Sequence, residues 1–97
     1  MQELREGVFA SHIGQAKARG CRLVIFPEDA LGSPVGTSNE DIEKAVDVIR
    51  DAARSNDVYV IFCSSFVIPG FAPDKRGHCL RVIGPDGRLI LRFNKLI

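Results

Sequence analysis

At 97 residues the chain holds one hydrophobic core and no second domain. Its 13 basic and 12 acidic residues leave a formal charge of +1 and are scattered, which gives nucleic acid or an anionic membrane no electrostatic footing. Apolar residues make up 45% and no run of them approaches the roughly 18–20 residues that span a bilayer, so a soluble globular class is expected.

The opening Met-Gln-Glu-Leu-Arg-Glu-Gly is charged and helical in character, so it reads as a helix and not as a signal peptide. Residues 2–19 read as a helix closed by Gly20, with Phe9, Ile13 and Ala16 recurring at i, i+4, i+7 toward a core. Gly7 and Gly14 weaken that helix by up to ~1 kcal/mol each relative to alanine. The unalternated run Leu23-Val24-Ile25-Phe26, stopped by Pro27, suits a parallel strand buried on both faces. Residues 31–38, rich in glycine and hydroxyl side chains, read as a loop. Ser38 or Asn39 then caps a second helix whose Glu40 and Asp41 suit the N-terminal dipole. Its apolar stripe is Ile42, Ala45, Val46, Ile49 and Ala53.

Residues 58–63 form a second β-rich run, so residues 23–63 make a β-α-β unit, expected as a right-handed crossover. Residues 68–77 read as a loop. Residues 79–83 and 88–93 flank Gly84-Pro85-Asp86-Gly87, a hairpin signal. Leu80 and Val82 alternate with Arg81 and Ile83, and Leu89 and Leu91 with Arg88, Ile90 and Arg92, so the second face is mixed, as in a sheet packed on both sides or near an interface. The fold class is α/β, a partial sheet with helices on one side. The order opens on a helix and closes directly after a strand, which implies a single domain, 1–97, incomplete at both ends.

Chemistry concentrates at two positions. Glu28, in Phe26-Pro27-Glu28, lies just past the carboxyl end of a buried strand, where open α/β sheets bind ligands and where burial raises a carboxyl toward general-base duty. On that tripeptide alone, a capping or surface glutamate is the preferred reading. Lys95 lies two residues past the return strand of the hairpin, where a fixed positive charge can face a developing oxyanion. On its own it reads as a solvated lysine.

The ordered set changes the balance. A helix, Leu-Val-Ile-Phe-Pro-Glu, a loop, a helix, an apolar strand, Arg-Val-Ile-Gly-Pro-Asp-Gly-Arg-Leu-Ile over residues 81–90, and Arg-Phe-Asn-Lys together resemble the nitrilase superfamily of carbon–nitrogen hydrolases. The resemblance covers nearly the whole chain. It implies an α-β-β-α sandwich whose subunits commonly pair, hence a homo-oligomer. It implies a Glu-Lys-Cys mechanism in which Glu28 is the base and Lys95 stabilises the tetrahedral intermediate. The substrate would be a small amide, nitrile or carbamoyl compound, and no metal or organic cofactor enters that chemistry.

The family's nucleophilic cysteine follows its lysine by some tens of residues, and its first strand precedes the opening helix; neither is in this chain. Cys21, Cys63 and Cys79 stand elsewhere. Cys63 is the one near Glu28, because adjacent parallel strands bring their carboxyl ends together, yet it reads as a structural thiol. The odd cysteine count lacks a disulfide framework and fits a reducing, cytoplasmic setting. Cys63, His78 and Cys79 lack zinc-site spacing, and both histidines, His12 and His78, read as surface or loop residues. Gly32-Ser-Pro-Val-Gly-Thr lacks the lysine of a phosphate loop. The competing reading is a non-catalytic α/β module that packs its open edge and apolar face on a partner chain. A fainter one is an unrelated α/β fragment in which Glu28 and Lys95 are incidental.

Overall fold

The computed structural model describes residues 2–26, 39–67 and 76–96. Helix α1 spans Gln2–Ala18, strand β1 Leu23–Ile25, helix α2 Asn39–Asn56, and strands β2, β3 and β4 span Tyr59–Val67, Arg76–Ile83 and Leu89–Leu96. The strands form one sheet in the order β1-β2-β3-β4. β1 and β2 are parallel, while β2–β3 and β3–β4 are antiparallel. None of the described helices is long and apolar enough to cross a membrane.

Both helices stop through the same device. After α1 the chain turns at Gly20 (φ 84°), where Gly20 N–H donates to Lys17 and Cys21 N–H to Ala16, a Schellman closure. After α2 the left-handed position is taken by Asp57 (φ 54°), with Val58 N–H donating to Ala53. An aspartate tolerates that conformation less readily than glycine, because its Cβ crowds the following carbonyl.

The expected stripe on α2 is the core. Ile42, Ala45, Val46, Ile49 and Ala53 are all buried, together with Ala52. They pack against Val58, Val60, Phe62 and Ile83 on one face of the sheet, and Phe9 and Ile13 of α1 close over them. Phe9 also meets Phe26 edge to face, with centroids 4.9 Å apart at 90°. That contact pins the carboxyl end of β1, from which the chain runs on to Glu28.

The turn of the hairpin is tied to the same helix. Gly87 N–H donates to Gly84 O and Gly84 N–H to Arg88 O, a tight turn with Gly87 at φ 81°. Arg50 Nε donates to Gly87 O at 2.8 Å. A Cβ on residue 87 would lie 3.1 Å from the Arg50 carbonyl, so the turn approaches α2 as only glycine allows. The turn leaves one extra residue in β4: Val82 pairs with Leu91 and Ile83 with Leu89.

Four expectations need correction. β1 is covered on one face alone; Leu23 and Ile25 point away from the helices and are exposed. The uncovered face is also less mixed than the alternation suggested, because Arg81 turns inward and leaves Leu80 and Val82 outward. β2 runs to Val67 and β3 starts at Arg76, so His78 sits half-buried inside a strand, in neither a loop nor free solvent. β4 continues through Leu96, which places Lys95 within the strand rather than beyond it. In the last two cases the ladder of backbone hydrogen bonds extends past the hydrophobic run that marked the strand, since pairing needs only backbone groups.

Two substitutions on opposite faces check this layering. Phe62, 1% exposed, fills the helix side; Phe93, 59% exposed, lies on the other. Phe62→Ala should cost about 3–5 kcal/mol in urea unfolding, and Phe93→Ala under about 1 kcal/mol. Comparable losses at the two positions would mean the covered face is wrongly assigned.

Candidate functional site

Strand register sorts the sheet residues into cross-strand rows on its open face. Ile25, Ile61, Val82 and Leu91 form one row, and Cys63, Leu80 and Phe93 the next. Ser65, His78 and Lys95 form the third. The apolar rows give way to this polar row toward the end of the sheet where β1, β2 and β4 all terminate. Lys95 thus stands at the same end as the carboxyl terminus of β1 and on the uncovered face.

Glu28 lies outside the described residues, two positions after Phe26, whose N–H donates to Ile61 O as the last link of the β1–β2 ladder. β1 and β4 are separated by β2 and β3. Three strand spacings amount to about 14 Å. Any meeting of Glu28 and Lys95 therefore takes place across the polar end of those two strands.

The three cysteines divide cleanly. Cys79 is buried on the helix face and Cys21 is exposed at the opposite end, between α1 and β1. Cys63 shares the open face with Lys95, but Leu80 and not Lys95 is its partner across β3. Among the described residues no cluster of three or more His, Cys, Asp or Glu side chains is placed to hold a metal ion.

Arg81 was hidden from sequence reasoning. Its side chain is buried on the helix face, donating to Ser64 Oγ at 2.7 Å and to Glu43 Oε1 at 2.8 Å. A buried guanidinium left unpaired is costly, and here a hydroxyl from β2 and a carboxylate from α2 satisfy it. The one sequence signal was its parity with buried Cys79 and Ile83, which sets a charge among core positions. The bridge ties α2 to the second and third strands behind the polar row; it is structural and faces away from Lys95.

Two described cavities lie at the far end of the sheet. One, about 360 Å³, is lined by Asp47, Arg50, Asp51, Arg54 and Gly87. The other, about 580 Å³, is an open groove beside Tyr59 and the hairpin turn. Both are remote from the polar row, and the first is walled by residues already engaged in ion pairs along α2.

No protein-family model matches the chain, and no curated protein matches it in sequence. Solved structures match it over almost its full length. A double mutant of the amidase from Nesterenkonia sp. AN1 in complex with acrylamide superposes with a TM-score of 0.78 at 15% identity, over 98% of this chain and 37% of that one. A further variant of that amidase, described as belonging to the nitrilase superfamily, gives 0.79 at 16% identity over 98% and 37%. In a third, acrylamide has added to the active site cysteine; it gives 0.79 at 16% identity over 99% and 39%. The chain therefore has a partial nitrilase-type α/β fold, and it spans under two-fifths of the length of these amidases.

The Arg81–Glu43 bridge is open to a double-mutant cycle in thermal or urea unfolding. With Glu43 half-exposed, the coupling should be about 1 kcal/mol. A coupling indistinguishable from zero would mean that solvent, not Glu43, satisfies the guanidinium.

Proposed function

We propose that this chain is the glutamate- and lysine-bearing part of a carbon–nitrogen hydrolase that acts on small amides, nitriles or carbamoyl compounds. The observation that carries the reading is the position of Lys95 at the carboxyl end of β4, on the uncovered face and at the end where β1 releases the chain toward Glu28. The fold is shared with an amidase that binds acrylamide and butyramide, which supports the substrate class.

In this mechanism Glu28 removes the proton from a cysteine thiol supplied by the chain beyond Lys95 or by a second chain. The thiolate attacks the amide carbon, and the carbonyl electron pair moves onto oxygen. The Lys95 ammonium faces that oxyanion, where a preformed charge costs no reorganisation at the moment of reaction. Collapse of the intermediate expels the amine, protonated by Glu28, and leaves a thioester. Water, deprotonated by Glu28, then hydrolyses the thioester and restores the thiol. Apart from the substrate and that water, the groups in the cycle are side chains.

The open apolar face fits the same reading. Ile25, Leu91 and Phe93 present a surface that a second sheet of the complete domain would cover, giving a sandwich with the polar row at its mouth. Pairing of complete domains into a homo-oligomer belongs to the same proposal.

Residues 1–97 alone should not turn over amides, since two of three reacting groups do not replace a nucleophile. The natural polypeptide that contains them should hydrolyse butyramide. Glu28→Gln and Lys95→Met in that polypeptide should each lower kcat by about 10²–10⁴-fold. Steady ammonia release by residues 1–97, or full activity in either variant, would overturn the assignment.

A further inference from the structure

β4 forms one border of the sheet. It follows β3 in the strand order and spans Leu89–Leu96, and among the described residues no strand pairs with its outer side. The phase of the ladder shows which backbone groups that border carries. Tyr59 N–H donates to Arg22 O and Phe26 N–H to Ile61 O, so the odd-numbered residues of β2 turn their backbone groups to β1. These groups alternate in direction along a strand, so the even-numbered residues of β2 bond to β3. Through the register, His78, Leu80 and Val82 then exchange backbone bonds with Lys95, Phe93 and Leu91. The backbone N–H and C=O of Arg92 and Asn94 therefore point away from β3, toward the free edge.

Such an edge is a template for a further strand, and this one carries little to deter it. It holds no proline, its register shift lies at the turn beside Val82 and Ile83, and Leu91 and Phe93 are exposed. We propose that the outer edge of β4 pairs antiparallel with β4 of a second copy of this chain, about a two-fold axis at Phe93, joining two sheets into one.

The strand itself argues for a second copy. A two-fold axis normal to the sheet keeps both open faces on one side, and the outward-bonding residues then pair with one another. Centred on Arg92, the axis would set two guanidinium groups face to face, and like charges directly opposite are destabilising. Centred on Phe93, it sets Arg92 opposite Asn94 of the second copy, both of them exposed, and each such pair exchanges two backbone bonds. Phe93 then meets its own counterpart in a pair without backbone bonds, where the Cα atoms approach to about 4.5 Å. This ladder uses positions 90–96, nearly all of β4, whereas a centre on Leu91 or Asn94 would shorten it. The other border of the described sheet, β1, has three residues, too few to receive β4. The pairing gives the homo-oligomer proposed above an interface and to that extent rests on that reading; the association itself is decided without turnover.

Sedimentation velocity of residues 1–97 over about a hundredfold range of concentration should show a monomer passing into a dimer. Arg92→Pro should abolish the dimer. It removes an outward N–H and leaves the bonds to β3 in place, the setting in which an edge strand tolerates proline. A chain that stays monomeric throughout, or a dimer that survives Arg92→Pro, would overturn the proposal. The register is read by cysteine substitution in a Cys21→Ser background, with Cys63 and Cys79 common to every variant. Under oxidised glutathione, Phe93→Cys should cross-link to its own copy about tenfold faster than Leu91→Cys, because position 93 alone faces itself at disulfide distance. Equal rates would refute the pairing, and should Arg92→Pro lose its fold this comparison decides by itself. A strict monomer with butyramide hydrolysis intact in the natural polypeptide would remove the interface and leave the hydrolase reading standing. A dimer of the expected register without hydrolysis would do the reverse.

Discussion

The burial of one sheet face beneath α2 is the constraint on which the rest of the structure depends. Because side chains alternate across a strand, covering one face commits every second residue to the core and every other to the opposite side. Val60 and Phe62 go inward, so Ile61 and Cys63 go outward; Ile83 goes inward, so Val82 goes outward. The same parity carries His78 and Lys95 onto the open face without any further interaction. The strand positions of His78 and Lys95 thus follow from the register of a sheet whose other face the helix covers.

Two ties keep that layering from slipping. Arg81 reaches from β3 to Ser64 on β2 and Glu43 on α2, and Arg50 clamps the hairpin turn through Gly87. A one-residue slip of β3 would expel the guanidinium from its partners and turn Leu80 and Val82 into the helix layer. Both contacts are made only in the observed register. Phe9 against Phe26 completes the frame at the strand end from which Glu28 departs.

Much of this was legible in the residues. The stripe on α2, the parallel β1–β2 pair and the Gly84–Gly87 turn follow from periodicity and turn chemistry, and the structure contains each of them. The ends of the strands were not legible. Ser64, Ser65, Arg76, Gly77 and Lys95 carry no β signal of their own and are recruited by a neighbour's backbone. Arg81 reads in the sequence only as part of a mixed second face, because a sequence does not reveal that Ser64 and Glu43 satisfy it. Of the candidate site, Lys95 falls within β4 rather than beyond it, and Glu28 lies outside the described residues. The association of the two came from their order along the chain, which periodicity alone does not supply.

The account stands on one claim of proximity, that the Glu28 carboxylate and the Lys95 ammonium share one site across the polar end of the sheet. Zero-length carbodiimide coupling of the folded chain, read by peptide mass spectrometry, tests it directly. Glu40 and Lys44, with N···O 3.7 Å apart on α2, supply the positive control within the same molecule. The account predicts an amide joining Glu28 to Lys95 alongside the one joining Glu40 to Lys44. Formation of the Glu40–Lys44 amide with Lys95 unlinked, or linked to a different carboxylate, would contradict it.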